Sequence, residues 1–140
     1  MHQKRIARIA AIQFLYRISL LQSDVKNLFQ LEEFVDTHIN NDDFYSGMSK
    51  SFFRKLISFI SDLNSLDTYI SGDIVSNLSS MPIVTNCILT SALAELIYGK
   101  ADIPVIINEY IEITKQFTDY STAKFVNAVL DRASKTCRKN

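Results

Sequence analysis

Tryptophan is absent, and glycine and proline are scarce: three and two in 140 residues. So few tight-turn residues argue against a β-sandwich, a β-barrel or a glycine-rich nucleotide fold. Two cysteines, Cys87 and Cys137, are too few for a disulfide scaffold and fit a reduced, cytosolic protein. Two histidines, His2 and His38, have no metal-ligand spacing to each other or to a cysteine. No apolar run approaches the roughly 18 residues of a membrane span.

What is present is a chain of one-domain length with 47% hydrophobic residues, enough for a real core. The formal net charge is zero, yet it is segregated. Residues 1–17 hold Lys4, Arg5, Arg8 and Arg17 without an acid, and 132–139 hold Arg132, Lys135, Arg138 and Lys139 without one. All 15 acids lie between, against seven bases. Two basic ends on an acidic middle point to a localised anion site, not to a general affinity for polyanions.

Helical spacing dominates, and there is no internal repeat. Residues 6–21 contain no breaker, and from Ile9 to Ile18 the stretch is apolar on nearly every side, the pattern of a helix lying between others. Ser23 and Asp24 predict the start of a second helix buried through Val25, Leu28, Phe29, Phe34, Val35 and Ile39. "NNDDFYSG" (40–47) reads as a loop, with Asp42 and Asp43 solvated. Met48, Phe52, Phe53, Leu56, Ile57, Ile60 and Leu63 then recur at three and four, and a short helical piece is expected through Leu66, Tyr69 and Ile70. "SNLSSMP" (76–82) is the candidate boundary between an N-terminal sub-bundle, about 1–80, and a C-terminal one, about 81–140.

Residues 84–98 carry one charge, Glu95, and end at Gly99, read as a left-handed cap. Pro104 opens the next helix, with Ile106, Tyr110, Ile113 and Phe117 as its apolar stripe and Asn108, Glu112 and Lys115 as its polar one. The last helix starts near Ser121 and buries Val126, Val129, Leu130 and Ala133. The expectation is all-α: six or seven helices in two small bundles.

Chemistry is mostly excluded. "SGMSKS" (46–51) lacks the second glycine and the Gly-Lys-Ser/Thr ending of a phosphate loop. Cys87, on an apolar helix, reads as a small core residue and not a nucleophile. Asn108 and Glu109 could form an acid–amide pair, against which stands a hydrogen-bonded structural role. No catalytic residue, cofactor or metal is expected. The basic start is more telling. Lys4, Arg5 and Arg8 can share one helical face at a helix N-terminus, where the macrodipole disfavours cations. An anionic partner would reverse that balance; an ordinary solvated basic end is the competing reading. A cleaved targeting segment is disfavoured by Gln13 and Arg17, which interrupt the apolar run.

"RIARIAAIQFLYRISL" (5–20), "ILTSALAELIYG" (88–99), "DIPVIINEYIEITKQF" (102–117) and "AKFVNAVLDR" (123–132) occur in that order. Together they resemble the bacterial NusB transcription-antitermination family over essentially the whole chain, most specifically in the second half. The resemblance implies a two-bundle helical, cytoplasmic, non-enzymatic factor. It would bind single-stranded boxA-type RNA with the ribosomal protein NusE and join RNA polymerase and other Nus factors, notably on ribosomal RNA operons; a homodimer is possible in the family. It assigns RNA contact to Lys4, Arg5, Arg8, Ser121, Lys124 and Phe125, and partner contact to Tyr16 and Thr85. For Phe125, base stacking and core packing both remain open. Asn127 reads as structural, and Asp131 as half of a local salt bridge. The chain departs from the family pattern at Ile6, where a further base is common, at Thr118, where glycine is usual, and at Ser121, Thr85 and Thr90, which replace frequent acids and an arginine. Two rivals are the RNA-targeting domain of an rRNA cytosine methyltransferase and a self-associating helical module.

Overall fold

The structure is a computed structural model, and residues 2–63 and 81–137 of it are described. Six α-helices and no strand occur among them, as the all-α expectation requires. They are α1 (His2–Leu20), α2 (Leu28–Phe34), α3 (Lys50–Asp62), α4 (Ile83–Tyr98), α5 (Ile103–Phe117) and α6 (Tyr120–Cys137). A π-helical turn, Val35–Ile39, extends α2, and a 3₁₀ turn, Asp43–Tyr45, precedes α3. The helical piece expected through Leu66, Tyr69 and Ile70, most of the boundary at 76–82, and the basic residues Arg138 and Lys139 lie outside the described residues.

Burial follows periodicity. In α1, Ala7 to Ile12, Phe14, Leu15 and Ile18 are buried, because this helix packs against both α3 and α4. Helix α4 is apolar all round and touches α1, α3, α5 and α6, so it sits at the centre of one continuous core that joins the two halves. In α6 the four residues expected inside, Val126, Val129, Leu130 and Ala133, are buried. Under α1 the rings of Phe14 and Phe34 lie 5.5 Å apart, and Phe34 also meets Tyr45 and Phe53. Such pairs add about 0.5–1.5 kcal/mol beyond their area.

Several helix ends differ from expectation. Helix α2 is capped by Asn27, whose side chain accepts the Gln30 N–H, while Ser23 and Asp24 belong to the preceding turn. Leu28 and Phe29 consequently face outward, 73% and 71% exposed. Helix α1 ends without glycine: Gln22 takes φ 54°, and the Ser23 and Gln22 N–H groups donate to the Ile18 and Ser19 carbonyls. That is a Schellman closure. Gly99, by contrast, is extended, not left-handed. Its N–H donates to the Glu95 carbonyl at 2.8 Å, and a Cβ there would stand 2.5 Å from the same oxygen. Close approach, not positive φ, requires glycine. Phe117, expected in the apolar stripe of α5, is 46% exposed, and Tyr16 is 39% exposed. "SGMSKS" serves the scaffold: Met48 is buried, and Ser49 caps α3 by accepting the Phe52 N–H.

Candidate nucleic-acid and partner surfaces

The N-terminal basic cluster has no acid near it in sequence, but the fold supplies two. Glu95 of α4 and Glu109 of α5 come from 87 and 104 positions away. Arg8 donates from Nε and Nη2 to the two oxygens of Glu95, at 2.8 and 2.6 Å. Arg5 donates likewise to Glu109, at 3.0 and 2.7 Å, and Arg8 Nη1 stands 3.5 Å from Glu109. These forks match the geometry that makes arginine–carboxylate pairs strong.

Their burial separates the three bases. Lys4 is exposed, its ammonium 5.3 Å from the centre of the Phe52 ring. Arg5 is partly exposed. Arg8 is 4% exposed, between Phe52 and Tyr110, and its partner Glu95 is 1% exposed. The Tyr110 hydroxyl donates to Glu95 at 3.0 Å and lies 2.9 Å from the Ser91 hydroxyl, which completes a buried network joining α1, α4 and α5. Burial opposes the Arg8 charge, but the hydrogen bond and charge of Glu95 leave its pKa raised. Burial pushes the Tyr110 phenol well above its ordinary range. The hydrogen bond from Arg5 holds the Glu109 carboxyl below its ordinary value. Glu109 is thus committed to arginines, which answers the acid–amide question at Asn108 and Glu109.

A second surface forms where α4 and α6 begin. Met81, Pro82, Thr85, Ser121, Thr122 and Phe125 line an open cleft of about 210 Å³. The structure therefore brings Thr85 of α4 beside Ser121 and Phe125 of α6. Thr85 is 3% exposed, so only the edge of its side chain reaches the cleft. Asp119 caps α6 by accepting the Thr122 N–H at 2.7 Å, and this bond lowers its pKa. Phe125 is half-buried against the core with one edge at the cleft. Lys124 is exposed, and its ammonium sits 5.6 Å from the ring centre of Tyr120, itself 69% exposed. Tyr120 is a candidate that sequence reasoning missed; only its place beside the Ser121–Phe125 block pointed to it.

Tyr16 lies elsewhere. It joins Ile12, Gln13, Val84, Ile88 and Phe117 around a largely apolar groove of about 220 Å³ between α1, α4 and the end of α5. Val84 faces this groove and Thr85 faces the cleft, so the first turn of α4 separates the two residues expected at one partner surface. Lys4 is twelve residues from Tyr16 on α1, roughly 18 Å along the axis.

Other expectations resolve locally. Asp131 is exposed and makes no ion pair among the described residues, and Asn127 is exposed with no side-chain hydrogen bond among them. Among the described residues no group of His, Cys, Asp or Glu could hold a metal ion, and no helix is long and apolar enough to cross a membrane. Burial pushes the Cys87 thiol up to about 11.

A model described as the NusB family matches residues 5–135. The chain belongs to the NusB family. It is 32% identical to the transcription antitermination protein NusB of Rickettsia bellii, over 94% of this chain and 89% of that protein. Identity to the proteins of the same name from Bartonella tribocorum and Sinorhizobium medicae is 31%, over 98% of this chain and 91% and 89% of theirs. The match runs from Arg5 to within two residues of the end of α6, so the cleft and the Tyr16 groove lie inside it, as do Arg5 and Arg8, while Lys4 stands one residue before its start.

Proposed function

We propose that this protein is a non-enzymatic transcription antitermination factor of the bacterial cytoplasm. It binds boxA-type single-stranded RNA together with the ribosomal protein NusE and acts on the RNA polymerase elongation complex with other Nus factors, notably on ribosomal RNA operons. The observation that carries this reading is the near full-length match to proteins named for transcription antitermination. Two surfaces support it. Lys4 and Arg5 offer charge at the start of α1, where helix N–H groups also favour an anion. At the cleft, Lys124 offers a cation, Phe125 and Tyr120 offer rings for unpaired bases, and Ser121 and Thr85 offer hydroxyls. Stacking of one base is worth about 1–3 kcal/mol. Arg8 belongs to this reading as a strut that fixes the roll of α1 and so aims Lys4 and Arg5. The apolar groove around Tyr16 supplies the protein-facing surface for NusE, and Thr85 lies across the first turn of α4 from it, in the cleft.

Fluorescence anisotropy with a boxA-like RNA and a scrambled control, across salt and with or without the cognate ribosomal protein, tests the reading. Selective binding that tightens with the partner and weakens in Lys4→Ala, Arg5→Ala and Lys124→Ala is the expected result. With three to five phosphates engaged, the log–log salt slope is about −2 to −4. Equal binding of both RNAs with the partner present would overturn it.

A further inference from the structure

The first turn of α1 carries less usable charge than its sequence indicates. Arg8 and Glu95 neutralise each other inside the molecule, and neither is exchangeable without opening the core. Arg5 and Glu109 also cancel, but at the surface: their side chains are 32% and 14% exposed. Of the three bases, Lys4 alone is left without a carboxylate partner among the described residues. The groups facing Glu109 are Arg5, Arg8 and His2, and Glu112 adds a second acid near Arg5.

The geometry of the Arg5–Glu109 pair is informative. Two carboxylate oxygens accept from Nε and Nη2 at 3.0 and 2.7 Å, the same fork that two non-bridging oxygens of a phosphodiester would occupy. Glu109, like any carboxylate with a pKa at or below 4.5, is ionised at neutral pH, and the hydrogen bond from Arg5 favours that form further. A phosphate arriving at Arg5 therefore meets a site already filled by an oxyanion of matching shape. We propose that Glu109 is an intramolecular stand-in for a nucleic-acid phosphate, holding Arg5 until a phosphodiester displaces it, and that this residue sets the affinity of the α1 surface. The proposal rests on the RNA-binding reading above. Exchanging one ion pair for another returns little free energy, so Arg5 contributes position and selectivity for a correctly placed phosphate and little affinity for a polyanion in general.

Glu109→Gln keeps the shape and one acceptor while removing the charge, and Arg8–Glu95 remains to hold α1. Two probes are titrated by anisotropy or competition: a 12-nucleotide single-stranded RNA and inorganic polyphosphate. Releasing this surface ion pair corresponds to about two- to fivefold tighter binding of both. One more phosphate engaged steepens the log–log salt slope by about 0.7. In an Arg5→Ala background the Glu109→Gln gain falls below about twofold, since no latched cation remains to release. Glu112→Gln changes net charge equally, one turn along α5, and gives a smaller gain. Unchanged or weaker binding of both probes by a folded Glu109→Gln protein would overturn the proposal, and so would a full gain that persists without Arg5. If the wild type fails to separate boxA-like from scrambled RNA while the polyphosphate gain remains, the functional reading fails and the latch stands. If selectivity is present and the gain is absent, the latch fails alone.

Discussion

Removing the carboxylate of Glu95 tests how α1 is held in place. Glu95→Ala leaves Arg8, 4% exposed, without the two hydrogen bonds of 2.8 and 2.6 Å that offset its desolvation. Breaking a buried pair from one side costs about 3–5 kcal/mol. The Tyr110 hydroxyl also loses an acceptor, although Ser91 remains 2.9 Å away. Against this, Arg8 Nη1 keeps Glu109 at 3.5 Å, which places the expected loss near the lower end, about 3 kcal/mol. For a domain of this length that is a fall in Tm of roughly 10 °C. Urea unfolding by circular dichroism measures it directly. The double variant Arg8→Met, Glu95→Met removes both charges and fills similar volume, and is expected within about 1.5 kcal/mol of the wild type. A loss under about 1 kcal/mol in Glu95→Ala, or a double variant no more stable than the single one, would refute the view that stranding a buried charge is what destabilises the protein most.

Four smaller tests follow from other contacts in the molecule. Glu109 has a depressed pKa, so its contribution to stability is present above its ordinary value of 4.5 and is lost as pH falls through the lower folded value. The stability gap between wild type and Glu109→Gln is therefore constant at neutral pH and closes below pH 4.5, as acid-titrated denaturation curves would show. Cys87, buried with its pKa pushed up to about 11, should react with a disulfide reagent only as fast as the protein unfolds, while the partly exposed Cys137 reacts in the native state. At the helix ends, Gln22→Gly relieves a left-handed φ of 54° and is expected to stabilise by about 0.5–1 kcal/mol. Gly99→Ala places a Cβ against the Glu95 carbonyl and is expected to destabilise by about 1–3 kcal/mol, both read from thermal melts.

The fold was legible where one helix's own periodicity decides burial. In α6 the 3.6-residue repeat names its buried face correctly, and in α1 and α4 apolar residues on all sides signal helices surrounded by others. Helix ends were less legible, because caps depend on backbone geometry that several residue types can satisfy. Gln22 adopts the conformation expected of a glycine, and Gly99 is required by a contact and not by its φ.

The site residues show a sharper limit. That Lys4, Arg5 and Arg8 share a face without acids is accurate for the helix taken alone, but charge state and access are set by acids 87 and 104 positions away. A trace of this was present: one acid in the otherwise uncharged stretch 84–98 has to find a buried cation, and α1 supplies the arginine. The same logic extends to Glu109. An acid placed among apolar and polar residues of α5 carries no mark of its role in the sequence, yet in the fold it holds Arg5 through two hydrogen bonds. How strongly this surface attracts an anion therefore follows from three helices packed together, and a count of the basic residues in α1 overstates it.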